Sequence, residues 1–184
     1  MKSTLSYTFA WLAAAGLAFA MAFAAPNVVS VMGRMPAFMS QTLMREPVTV
    51  PEGLPSDRTL ALITFQRSHR AEAESWITGL NLKNDPSITW LRMPVVNDPG
   101  TSKGRDAVES RLLQHYKGDA ERSNLVPVFT SDRASFVRDT GLSGTERSYA
   151  VVINRRGEVL ARVEGEFDAE KAQTLRETLK GEDF

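Results

Sequence analysis

The sequence predicts an α/β fold in three layers, with a mixed central sheet, helices on both of its faces, a C-terminal β-hairpin and a C-terminal helix. From Thr59 onward, short apolar runs suited to buried strands alternate with segments of helical periodicity. The alternation then changes: two strand-like runs flank Asn154-Arg155-Arg156-Gly157, a compact turn of the kind that closes an antiparallel hairpin. Asp168 stands directly before a last amphipathic stretch that stops at Gly181, so the chain carries a start and a stop signal for one more helix.

Thr59 to Phe65 (TLALITF) reads as a strand buried on both faces. In His69 to Leu80, Ala73, Trp76, Ile77 and Leu80 fall at helical spacing, which leaves Arg70, Glu72 and Glu74 turned largely to water. Ser87 to Met93 reads as a second strand, bounded by Asp85-Pro86 and by Pro94. Asp98-Pro99-Gly100 is a turn, and Arg105 to Tyr116 a helix through Val108, Leu112 and Tyr116. Leu125 to Thr130 is a strand in which Pro127 marks an edge or an irregularity, because proline removes a ladder donor. Ser131 or Asp132 caps a short helix, Arg133 to Thr140, that ends at Gly141. Tyr149 to Ile153 and Glu158 to Val163 form the hairpin, and Ala169 to Lys180 the last helix, burying Ala172, Leu175 and Leu179. Strand, helix, strand, helix implies parallel pairing with right-handed crossovers in the first half.

Three segments are expected. Residues 1–24 have the pattern of an export signal: Lys2, then an apolar run from Leu5 to Ala24, with no further charge before Arg34. Ala22-Phe23-Ala24 is the expected cleavage site. The rival reading is an uncleaved anchor, since such a run reaches the roughly 20 residues that span a bilayer. Either way the remainder is expected to be periplasmic or secreted, with membrane proximity through the N-terminal segment. Residues 25–57 read as a proline- and methionine-rich lead-in, interrupted by Pro26, Pro36, Pro47, Pro51 and Pro55, with an apolar stretch from Met32 to Met44. Within it, Phe38 to Met44 is expected to cover a domain edge as a short helix or strand. Residues 58–184 are the folded domain, and the chain beyond the signal, about 160 residues, suffices for one substantial core.

Composition excludes several functions. The chain has 22 basic and 22 acidic residues, and losing Lys2 with the signal leaves one acidic residue in excess. That balance offers no attraction for nucleic acid. There is no cysteine. Thiolate is the attacking species in disulfide exchange and thiol peroxidase chemistry, so neither can run here. With His69 and His115 the only histidines, a zinc site would need both of them plus distant carboxylates, and none is expected. Gly100 to Gly104 and Gly141 to Gly144 lack phosphate-loop spacing, and no nucleophile elbow is present. No cofactor is expected.

The order of elements resembles the thioredoxin-like fold in its TlpA and peroxiredoxin form over about residues 57–180. The hairpin from Tyr149 to Gly165 is similar to the strand, D-x-x-G, strand, G hairpin of those families. Phe65 with His69-Arg70-Ala71-Glu72 is similar to the strand end and C-R-A-E helix start of TlpA-type reductases. That resemblance implies that the two cysteine positions fall near Gln66 and His69, and the cis-proline position near Ser148. A cis bond before a non-proline residue costs about 3 kcal/mol, so a trans bond is expected there. Phe65, Trp76, the hairpin and Gly165 are also similar to the cysteine-less mitochondrial ATP synthase assembly factors, which implies a helper in assembly.

The candidate site is therefore a vestigial surface of Gln66, Arg67, Ser68, His69, Arg70, Arg147 and Ser148, with no catalytic, cofactor or metal residue assigned. Arg67, His69, Arg70 and Arg147 are positioned to converge at a helix start that favours an anion, while the plainer alternative is a solvated cap with Ser68 as the capping residue. The expected function is an exported, non-redox domain that binds a protein partner as an envelope accessory or assembly factor. The alternatives are an enzyme using His69 as acid or base at the Gln66 to His69 turn, and a membrane-anchored interaction module.

Overall fold

A computed structural model describes residues 31–181 of the chain. The described residues form eight strands: β1 (Gly33–Arg34), β2 (Phe38–Gln41), β3 (Pro47–Val50), β4 (Arg58–Thr64), β5 (Trp90–Asn97), β6 (Val128–Thr130), β7 (Tyr149–Asn154) and β8 (Glu158–Glu164). The five helices are α1 (Arg70–Gly79), α2 (Ser102–His115), α3 (Asp119–Ser123), α4 (Arg133–Asp139) and α5 (Ala169–Lys180), with a 3₁₀ turn at Arg67–His69 leading into α1. The expected signal, residues 1–24, lies outside the described residues. Among the described residues no helix is long and apolar enough to cross a membrane.

Six strands make one mixed sheet in the order β1-β8-β7-β4-β5-β6, parallel across β4, β5 and β6 and antiparallel elsewhere. Side chains alternate across a strand, and in β4 this sends Leu60 and Leu62 to one face and Ala61 and Ile63 to the other. The first face is covered by Trp76 and Ile77 of α1 and by Ala172 and Leu175 of α5. The second is covered by Phe136 of α4 together with Met35, Val50 and Leu54. The three-layer architecture with its hairpin and last helix is thus present as expected. The predicted caps are made as well: the Asp132 carboxylate accepts from the Ser135 amide and that of Asp168 from the Lys171 amide.

Two expectations are corrected. Pro94 does not end its strand, since β5 continues to Asn97. The Arg92 amide donates to the Asn124 carbonyl and the Arg92 carbonyl accepts from Val126, so by alternation Pro94 also turns its backbone toward β6. Its missing donor therefore spares the β4 ladder and interrupts only the β6 side, which is reduced to a bridge at Leu125 and a three-residue edge strand. Residues 33–57 are not an unpacked lead-in. β1 pairs with β8, β2 pairs with β3, and Met35, Val50 and Leu54 are fully buried. Proline is tolerated at the first position of an edge strand, where Pro47 begins β3. The Ser40 hydroxyl donates to the Pro127 carbonyl and ties the hairpin to the sheet edge. Of the methionines in residues 31–57, Met32, Met39 and Met44 remain exposed.

A closed turn beside an open cavity as the candidate functional site

β4 carries the chain out of the sheet at Thr64, and the 3₁₀ turn folds the His69 ring back under it. His69 is buried, its Nδ1 accepting from the Phe65 amide at 3.3 Å and its Nε2 donating to the Glu146 carbonyl at 3.0 Å. Both ring nitrogens are occupied by the backbone, which leaves neither for a substrate proton. Ser68 is exposed and caps nothing, because neither the 3₁₀ turn nor α1 has a side-chain cap bond.

The other half of the expected surface is tied down by Glu72. Its carboxylate accepts from Arg147 Nε at 2.6 Å and from the Ser148 amide at 2.8 Å. Partial burial works to raise its pKa, but the Ser148 and Arg147 donors together outweigh that and hold it below the ordinary glutamate value. The Ser148 carbonyl accepts from the Gly165 amide, and the Gly165 carbonyl accepts from the Trp76 indole. The one cis bond among the described residues lies between Val50 and Pro51, so the bond before Ser148 is trans. Glu74 keeps its side chain 40% exposed while pairing with the buried Arg92 at 2.8 Å, and its pKa is likewise lowered: burial opposes the shift, and Arg92 and Lys83 produce it.

The seven expected site residues therefore separate. Arg147 and Ser148 belong to Glu72, His69 is interior, and Gln66 reaches the Thr145 carbonyl at 3.3 Å. Arg67 and Arg70, with Gln66, line a cavity of about 450 Å³ between the ends of β4 and β5 and the inner side of α2. The expected convergence of four cations does not occur, because the turn closes between them.

This cavity was not anticipated. Its α2 wall is Val108, Arg111, Leu112 and His115, an i, i+3, i+4, i+7 stripe in which two basic residues interrupt the apolar ones. That pattern was the available signal, but reading Val108 and Leu112 as ordinary core contacts concealed it. No residue of α2 is buried, and only Tyr116, just beyond it, is. Two guanidinium groups lie over the Tyr116 ring, Arg70 at 4.8 Å and Arg92 at 5.0 Å from its centroid. Arg70 also donates to the His115 carbonyl. Among the described residues no group of three or more histidine, aspartate or glutamate side chains is placed to hold a metal.

No protein-family model matches this sequence, and no curated protein is detectably similar to it. Solved structures do match. BsSco, a member of the Sco family of cytochrome c oxidase assembly proteins, superposes with a TM-score of 0.53 at 15% identity, covering 80% of this chain and 92% of that one. The fold is thioredoxin-like. The thioredoxin domain of a thiol-disulfide oxidoreductase from Bacteroides vulgatus matches with a TM-score of 0.50 at 15% identity, over 82% of this chain and 98% of that one. A candidate electron transport protein from Aquifex aeolicus VF5 matches at 0.55 and 9% identity, over 83% and 100%. At these identities the likeness establishes the thioredoxin-like fold and says nothing of activity. The domain carries that fold without a cysteine anywhere in the chain.

Proposed function

We propose that this thioredoxin-like domain works by binding a protein partner and not by chemistry at the Gln66 to His69 turn. One observation carries the reading: the only histidine and the nearest carboxylate at that turn are already committed to the protein itself, through both nitrogens of His69 and through Glu72 on Arg147 and the Ser148 amide. The exposed remainder, Gln66, Arg67, Ser68 and Arg70, offers a polar, basic surface that contains no histidine or carboxylate to activate the Ser68 hydroxyl. The finer reading is an accessory or assembly factor outside the cytoplasm. It draws on the export pattern of residues 1–24, on the similarity to cysteine-less assembly factors, and on the use of the same fold in a family of cytochrome c oxidase assembly proteins.

The test is crosslinking in native envelopes with the full chain and with an Arg67→Glu, Ser68→Glu variant. Both substitutions are exposed and leave the buried bonds of the turn intact. We expect a discrete partner protein with the parent chain and its loss with the variant. Identical capture by both chains, or no specific capture by either, overturns the reading. Sequencing the amino terminus of the same preparation tests the export proposal, for which a start at Ala25 is the expected result and an intact Met1 the contrary one.

A further inference from the structure

The cavity beside the turn has a chemistry of its own. Phe65, Val96, Val108, Leu112 and Tyr116 give it apolar walls, while Arg67, Arg70 and Arg111 are three basic residues of its lining. None of the residues lining it is acidic. The side chains of Arg67 and Arg111 have no hydrogen-bond or ion-pair partner among the described residues, whereas Arg92 pairs with Glu74, Arg105 with Asp98, Arg147 with Glu72, Arg155 with Asp57 and Arg156 with Glu158. Arg70 is held in place on the Tyr116 ring and the His115 carbonyl.

We propose that this cavity binds an amphipathic oxyanion, a carboxylate or phosphate head on an apolar body. The reasoning is one of complementarity. Guanidinium groups recognise planar or tetrahedral oxyanions by paired N–H donors, and an apolar wall favours a ligand whose remainder leaves water. A volume near 450 Å³ is that of a small-molecule pocket. The parallel ends of β4 and β5 supply the floor, and α2 supplies the facing wall. This inference builds on the binding reading of the domain but is separable from it, since it concerns a small ligand and not the protein partner.

Calorimetric titration of the full chain at low ionic strength tests it, with decanoate, decyl phosphate and decanol as probes. Both anions are expected to bind, with decanol weaker by at least about tenfold, and their order tells which head the arginines prefer. Arg67→Ala combined with Arg111→Ala should weaken the anions by at least about tenfold and leave decanol unchanged. Val108→Trp, which fills the cavity from the flank of α2, should abolish binding of all three, and an unchanged circular dichroism spectrum separates this from misfolding. Equal affinity for decanol and decanoate, anion binding insensitive to the double substitution, or no binding by either anion overturns the proposal. Partner capture in the crosslinking experiment alongside absent anion binding would remove this inference and leave the proposed function standing.

Discussion

Glu72 does at the residue scale what the fold's usual site would otherwise leave open: it clamps the loop before β7 onto α1 through Arg147 and the Ser148 amide. Because these donors favour the charged carboxylate, its folded pKa lies below its unfolded one. The stabilisation is therefore fully present above the ordinary value of 4.5 and is lost as pH falls through the lower folded value. Glu72→Gln is expected to reduce unfolding free energy by about 1 kcal/mol at neutral pH, a figure moderated by the half-exposed Arg147. The difference between the two proteins should close as pH drops below 4.5 in urea titrations. A difference constant from neutral to acidic pH would show that the charge is irrelevant. Sequence periodicity placed Glu72 on the solvent side of its helix. It could not foresee Arg147, 75 positions away, arriving to meet it.

At the scale of elements, the docking of β1 turns on the absence of a side chain. A Cβ on Gly33 would lie 2.4 Å from the Thr140 carbonyl carbon and oxygen, and this is backbone that cannot yield. Gly33→Ala is expected to lift β1 from β8 and to cost about 1–3 kcal/mol. Hydrogen exchange checks it: the Met32 and Met35 amides, bonded to the Val159 and Gly157 carbonyls, should lose protection while β4 keeps its own. Unaltered protection there would refute the steric account. Gly141, at φ +69 where α4 ends, is the glycine stop that its sequence context predicts. The caps, the hairpin and the strand β4 were legible for similar reasons, since each depends on neighbours within a few residues. Strand β5 was misread at Pro94 because the effect of a proline depends on which neighbouring strand its nitrogen faces, a matter of sheet order.

For the molecule as a whole, the segment before β4 is structural. Met35, Val50 and Leu54 fill the face of the sheet opposite α1 and α5, and burial of each contributes about 1.5–3 kcal/mol. Total stability in proteins of this kind is only about 5–15 kcal/mol. A chain beginning at Asp57 is therefore expected to show no cooperative thermal transition, and one beginning at Ser30 to retain it. A sharp melt of the shorter chain would restore the boundary that proline content suggests.

The sequence by itself determined the fold class, the order of β4 to α5 apart from the short α3, the lack of thiol chemistry and the turn from which that chemistry is missing. These follow from periodicity, from punctuation by caps and glycines, and from composition, all of them local properties of the chain. Only the tertiary structure decided that His69 and Glu72 are taken up internally, by bonds from His69 to Glu146 and from Glu72 to Ser148 that span more than seventy residues. It likewise decided that Arg67, Arg70 and Arg111 share one cavity. The physical reason is that side-chain partnership depends on which elements the sheet brings side by side, and that pairing is a long-range property no short window of sequence contains.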